Sequence, residues 1–181
     1  MKEISMHILD IAMNSIKAKA TLLEIKVEES IKNNCLKLSI SDNGIGMSEE
    51  MTNKVIDPFF TTRTTRKVGL GLPMLKESCE RCNGNLNIYS QLGKGTIVKC
   101  YFERNNIDRA PLGNMGETIM TITNCLDNCE LSYTHVTDVG TFSLNTSEVK
   151  EILENVDIKD NGVLLWIKEF INENIKELSI N

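Results

Sequence analysis

The sequence predicts a two-layer α/β sandwich, a mixed and mostly antiparallel sheet carrying helices on one face, followed by a small α+β unit at the C-terminus. Three observations lead there. Short runs of alternating apolar residues come in pairs, 21–28 with 35–41 and 86–90 with 96–102. Helical periodicity flanks each pair, over 2–18 and 69–82. The charge balance also changes at residue 105: up to Arg104 there are 15 Lys+Arg against 12 Asp+Glu, and beyond it 5 against 13. The intervening stretch 105–113 is polar and holds Pro111 and Gly113, which suits a connection. The chain therefore divides on paper into units 1–104 and 105–181.

In the first helix, Ile4, Ile8, Ile11 and Ser15 recur at three- and four-residue steps and make an inward stripe. Leu23, Ile25 and Val27 alternate in the first strand and Leu36, Leu38 and Ile40 in the second, so each buries one face. Ser48 is a helix N-cap for a short helix through Val55. Residues 57–68 have no regular period and read as a loop, while Pro73 is tolerated in the first turn of the helix that begins at Gly69. Residues 91–95 turn between the last two strands of the first unit. Beyond the boundary, the expectation is a helix over 113–128, a hairpin of 131–137 with 140–144, and helices over 147–155 and 162–178. The last carries Val163, Ile167, Phe170, Ile171, Ile175 and Leu178 on one stripe.

A chain of 181 residues that is 41% hydrophobic has enough apolar mass for a core. It has no apolar run near the roughly 20 residues that span a bilayer, and no signal-peptide pattern, so a cytoplasmic protein without membrane attachment is expected. Its six cysteines then read as reduced thiols. Cys79-x2-Cys82 and Cys125-x3-Cys129 offer four thiolates, but their placement on predicted helices fits packed thiols better than a metal knuckle. The acidic C-terminal part argues against a nucleic-acid surface.

Four motifs fall in order in the first hundred residues: Asp10-x3-Asn14, Asp42-Asn43-Gly44-Ile45-Gly46, Gly69-Leu70-Gly71-Leu72 and Gly93-Lys94-Gly95-Thr96. Asp10 and Asn14 project one helical turn apart, an amide oxygen suited to a magnesium phosphate beside a carboxylate able to orient or deprotonate water. Asp42 ends an apolar strand against glycine backbone, where a carboxylate can accept from an adenine amino group. Gly69-Leu70-Gly71 opens a helix whose free amides attract anions, with Arg66 and Lys67 nearby. Each motif alone also fits a plainer reading: a polar helix face, an Asx turn, a glycine N-cap.

Together with Asp57-Pro58-Phe59-Phe60-Thr61-Thr62, these motifs resemble the ATP-binding domain shared by gyrase, Hsp90-type chaperones, histidine kinases and mismatch-repair ATPases, the GHKL or Bergerat fold, in its histidine-kinase-like form. The resemblance covers about residues 2–104. It implies ATP and magnesium as cofactors, with Asn14 as magnesium ligand, Lys17 near phosphates, Asp42 on adenine with Thr96 close by through water, and Gly44 and Gly46 shaping the base pocket. It further implies phosphates at Lys67, Gly69, Leu70, Gly71 and Leu72, Phe59 at a lid hinge, and a lid over about 57–68 that closes on ATP.

Family members that hydrolyse ATP commonly carry Glu where this chain has Asp10, so Asp10 is the candidate catalytic carboxylate but is short for activating water. A phosphoacceptor-bearing helical segment does not precede the domain in this sequence, and His7 and His135 stand outside such a context. Three functions remain: a stand-alone kinase or anti-sigma-type regulator acting on a separate protein partner, a nonenzymatic ATP-gated switch, and, least favoured, a hydrolase. Trp166 and Phe170 beside the last apolar stripe leave packing within the chain, a partner surface and a homodimer all open.

Overall fold

The computed structural model describes residues 3–56 and 71–179. Among these, α1 spans Ile4–Lys17, β1 Leu22–Ser30, β2 Cys35–Asp42, α2 Glu49–Lys54, α3 Gly71–Arg81, β3 Asn85–Gln91 and β4 Gly95–Glu103. Then come α4 Met115–Cys125, β5 Glu130–Val136, β6 Thr141–Asn145, α5 Thr146–Leu153 and α6 Asn161–Leu178. The predicted elements are present, with ends shifted by at most three residues where the ends are described. The expected lid 57–68, with Phe59 and Lys67, and the Gly69-Leu70 half of the third motif lie outside the described residues.

The strands form one sheet in the order β3-β4-β2-β1-β5-β6. All pairings are antiparallel except β1 with β5, which run parallel from Leu22↔Glu130 to Glu28↔Val136. The change of charge at residue 105 thus marks no break in the sheet. The parallel pairing requires a crossover, and the segment containing α4 supplies it.

Alternation sets the layers. Leu23, Ile25 and Val27 of β1, Leu36, Leu38 and Ile40 of β2, and Val98, Cys100 and Phe102 of β4 are buried. They share a core with Ile4, Ile8 and Ile11 of α1, Leu75 and Cys79 of α3, Ile119 and Ile122 of α4, and Ile167 and Ile171 of α6. Each such aliphatic side chain contributes roughly 1.5–3 kcal/mol by leaving water. The opposite face keeps Glu24, Lys26, Lys37 and Lys99 exposed, so helices cover one face only.

Helix starts follow local chemistry. The Ser48 hydroxyl accepts from the Met51 amide and Asn114 Oδ1 from the Glu117 amide. α1 has no side-chain cap; its Ile4 and Ser5 amides donate to the carbonyls of Pro111 and Leu112, at 3.0 and 2.8 Å. The helix that bears the first motif is therefore anchored by the chain beyond residue 105, and α4 packs against it. All six cysteines are free thiols, and among the described residues no group of three metal-ligating side chains converges. Among the described residues no helix is long and apolar enough to cross a membrane.

Candidate functional site

α1 lies across the C-terminal end of β2 and against the first turn of α3, and this placement assembles the site. At one end, Ser15 Oγ donates to Asp42 Oδ2 at 2.6 Å, while Asp42 Oδ1 accepts from the Gly44 amide at 2.9 Å. Both bonds aim the carboxylate, and the second is the Asx turn that Asp-Asn-Gly favours. At the other end, Asp10 meets α3 at Gly71, where a Cβ would fall 1.7 Å from Asp10 Oδ2. Only glycine admits that approach. It sets a carboxylate beside the first residue of α3, near a helix N-terminus where negative charge is favoured. Asp10 and Ser15 are separated by roughly 7.5 Å along the helix. One helix thus links the Asp42 end of the site to the Gly71 end, with Asn14 between them.

Asn14 and Lys17 are exposed, and among the described residues neither side chain has a hydrogen-bond or ionic partner. An exposed amide oxygen on the turn between Asp10 and the Ser15-held Asp42 fits a hard cation that keeps most of its waters. Gly71 and Leu72 are buried in the first turn of α3, the part of the third motif that is described.

The second motif is built by close backbone contacts. The Ile45 amide donates to Ala18 O at 2.9 Å, and a Cβ at Gly44 would stand 2.7 Å from that same oxygen. Gly46 has φ +66° and would place a Cβ 2.0 Å from Gln91 O. These two glycines let the strand end approach α1 and the β3–β4 turn. Asn43 holds the start of β1: its Oδ1 accepts from the amides of Thr21 and Leu22, at 2.8 and 2.9 Å.

Thr96 pairs with Asp42 across β2 and β4, and its hydroxyl lies 2.8 Å from Ser90 Oγ. Ser90 Oγ also accepts from the Met47 amide at 2.8 Å. Sequence reasoning missed Ser90 and the role of Ser15. Ser15 appears in the buried stripe of α1 as its one polar member, and a hydroxyl on an otherwise apolar stripe is the signal that would have found it. His7 is also buried, 4% exposed, and its Nδ1 has no partner. Burial, above all, holds its pKa below the usual value, against the raising effect of the nearby Asp10 carboxylate.

A second polar cluster stands at the far end of the sheet. Tyr133 OH lies 2.8 Å from His135 Nδ1 and His135 Nε2 lies 3.2 Å from Glu29 Oε1. It bridges β1 and β5 and touches none of the motif residues.

Residues 2–106 match the family described as histidine kinase-, DNA gyrase B- and HSP90-like ATPases. Among curated relatives, the sensor histidine kinase ZraS of Escherichia coli is 28% identical over 106 residues, covering 59% of this chain and 23% of that protein. The signal transduction histidine-protein kinase ArlS of Staphylococcus aureus is 32% identical over 94 residues, 49% of this chain and 21% of that one. The chain thus spans less than a quarter of the length of these relatives. A crystal structure of the N-terminal domain of a DNA repair protein superposes with TM-score 0.55 at 15% identity, covering 80% of this chain and 52% of that chain, a likeness of fold. With well over half of its residues matched, the chain belongs to the histidine kinase-, DNA gyrase B- and HSP90-like ATPase family.

Proposed function

We propose that this chain binds magnesium ATP along α1, between the end of β2 and the first turn of α3, and acts as a kinase-like regulator on a separate protein partner, phosphorylating a Ser or Thr. The reading rests on one observation: α1 is tied to Asp42 through Ser15 and lies against Gly71 through Asp10, which gives one helix a base-recognising end and a phosphate end. In this reading the adenine amino group donates to Asp42, with Thr96 beside it and Gly44 and Gly46 shaping the wall. The α3 amides at Gly71 and Leu72 receive phosphate oxygens, joined by Gly69, Leu70, Lys17 and Lys67, and Phe59 serves the lid. Asn14 holds magnesium, which when bound neutralises and orients the phosphates.

Asp10 orients the acceptor hydroxyl and takes its proton as the new O–P bond forms and the bond to the β-phosphate oxygen breaks, releasing ADP. Asp10 is one methylene shorter than Glu, so a carboxylate placed to activate water would be set back by roughly 1 Å. Displacements of that size cost about 100-fold in rate, which favours transfer to a docked hydroxyl over hydrolysis. In this reading the protein works in cytoplasmic signalling, with residues 1–104 carrying the nucleotide and 105–181 contacting the partner or a second copy.

The test is incubation of the pure protein with magnesium and γ-labelled ATP, following released phosphate and protein-bound label, with Asn14→Ala as control. Tight binding lost in Asn14→Ala, with little phosphate release, is expected. Rapid release abolished by that substitution would make the protein a hydrolase, and no nucleotide binding would sink the site. A second reading, an ATP-gated switch without transfer, is favoured by the direct bonding of the first turn of α1 to Pro111 and Leu112. It predicts nucleotide-dependent association with a partner that never becomes labelled.

A further inference from the structure

Asp42, Thr96 and Ser90 stand directly opposite one another on β2, β4 and β3, one row beyond Ile40, Val98 and Ile88 on the face that carries the helices. Ser90 joins three segments through a single hydroxyl. The Met47 amide donates to its Oγ at 2.8 Å, the hydroxyl donates to Gly95 O at 3.0 Å, and Thr96 Oγ1 lies 2.8 Å away. A serine hydroxyl holds one proton and two lone pairs. A carbonyl oxygen only accepts, so the proton of Ser90 is committed to Gly95. The Met47 amide occupies one lone pair, and the second is all that Ser90 has left for Thr96. Thr96 is therefore the donor in that pair, and its one proton is spent on Ser90. What Thr96 keeps for any other partner is lone pairs. Asp42 is in the same condition, since Oδ2 accepts from Ser15 at 2.6 Å and Oδ1 from the Gly44 amide at 2.9 Å.

We propose that Ser90 is a positioning residue that sets base specificity: by taking the Thr96 proton it leaves Thr96 and Asp42, side by side across β2 and β4, as acceptors only, a pair that receives the protons of a 6-amino purine and turns away a 6-oxo purine. The assignment rests on the nucleotide reading above and adds to it a residue outside the motifs. An amino group has two protons to give, whereas an oxo oxygen set against two acceptors brings lone pairs to lone pairs with no proton between them. A threonine free to turn its hydroxyl would serve either base, accepting from the amino group or donating to the oxo oxygen. Ser90 removes that choice, so the wrong base leaves polar groups unpaired. The bonds of Ser90 to Met47 and Gly95 tie the loop after β2 to the β3–β4 turn, and they also consume the proton and the lone pair that would otherwise let Thr96 accept from Ser90.

The readout is a ratio, which general loosening of the fold would not move. Calorimetric titration of the whole chain with ADP and with inosine diphosphate, which carries an oxo oxygen where ADP has its amino group, gives the selectivity of wild type, Ser90→Ala, Ser90→Thr and Ser90→Cys. Wild type should favour ADP. In Ser90→Ala the Thr96 proton is released, and the ratio should fall about tenfold, the worth of one net hydrogen bond. Ser90→Thr keeps the hydroxyl on a residue suited to a strand and should hold the ratio within about threefold of wild type. Ser90→Cys keeps the size but offers a weak acceptor, so its ratio should fall as well, and it decides the matter should Ser90→Ala fail to fold. A wild type without preference, a ratio unchanged in Ser90→Ala or Ser90→Cys even where both affinities drop, or a Ser90→Thr variant that loses the selectivity overturns the assignment. A wild-type chain that binds neither nucleotide instead overturns the nucleotide reading itself, an outcome distinct from these.

Discussion

Replacing Ser15 by alanine removes one hydroxyl and leaves the apolar stripe of α1 intact. That hydroxyl lies 2.6 Å from Asp42 Oδ2, and Ser15 is only 3% exposed, so bulk water has no ready path to replace it. A hydrogen bond to a charged acceptor is worth about 1.5–3 kcal/mol. Asp42 retains the Gly44 amide at 2.9 Å, which places the expected loss of stability at the lower end, about 1.5 kcal/mol. The freed carboxylate also loses its aim at the base. A roughly tenfold rise in the dissociation constant for ADP follows if the aiming energy is fully used in binding. Urea denaturation and calorimetric titration measure the two effects. Asp42→Asn alone and the double variant complete a cycle, and because the residues act through one bond the double variant should cost about 1 kcal/mol less than the two single changes together. Strict additivity in both stability and affinity would refute the claim that Ser15 works through Asp42.

Three further outcomes are expected. Asn14→Ala, at an exposed position, should leave the melting temperature unchanged while abolishing the magnesium dependence of ATP affinity; titrations with and without magnesium check this, and a persisting magnesium effect refutes it. Gly46→Ala forces a side chain into φ +66° and a Cβ to within 2.0 Å of Gln91 O, which should cost about 2 kcal/mol or more in urea denaturation, and a change under about 0.5 kcal/mol would count against it. The hydrogen bond to His135 outweighs burial and, with the charges of Arg104 and Arg109, holds Glu29 below the usual carboxylate range. A carboxylate acidified by folding stabilises the native state above its unfolded pKa and loses that contribution as pH falls through its folded value. Glu29→Gln should therefore lower the urea midpoint at pH 7, with the gap to wild type closing as pH falls below about 4. A gap that stays constant down to pH 3 would refute the linkage.

Much of the architecture is legible before any tertiary contact is known, because it depends on near neighbours. The inward stripe of Ile4, Ile8 and Ile11 identifies α1, alternation in 23–27 and 36–40 identifies the hairpin of β1 and β2, and Ser48 identifies the start of α2. The motifs are also local, so Asp10, Asn14, Asp42 and Gly71 can be nominated from their spacing. The partners of these residues come from far along the chain. Nothing near Glu130 announces that β5 will lie parallel to β1, and the charge break at 105 points away from it; the pairing follows from burying one continuous apolar face beneath α1, α4 and α6. Likewise Ser15 and Asp42 are 27 positions apart, yet their 2.6 Å bond aims the carboxylate. Gly46 needs its missing side chain because Gln91 passes beside it, and Gly71 because Asp10 does. Local residue order sets the periodic elements and the chemical groups available. The tertiary structure alone decided which groups meet, since strand partners and helix approaches are chosen by the burial of whole faces rather than by any residue's neighbours in the chain.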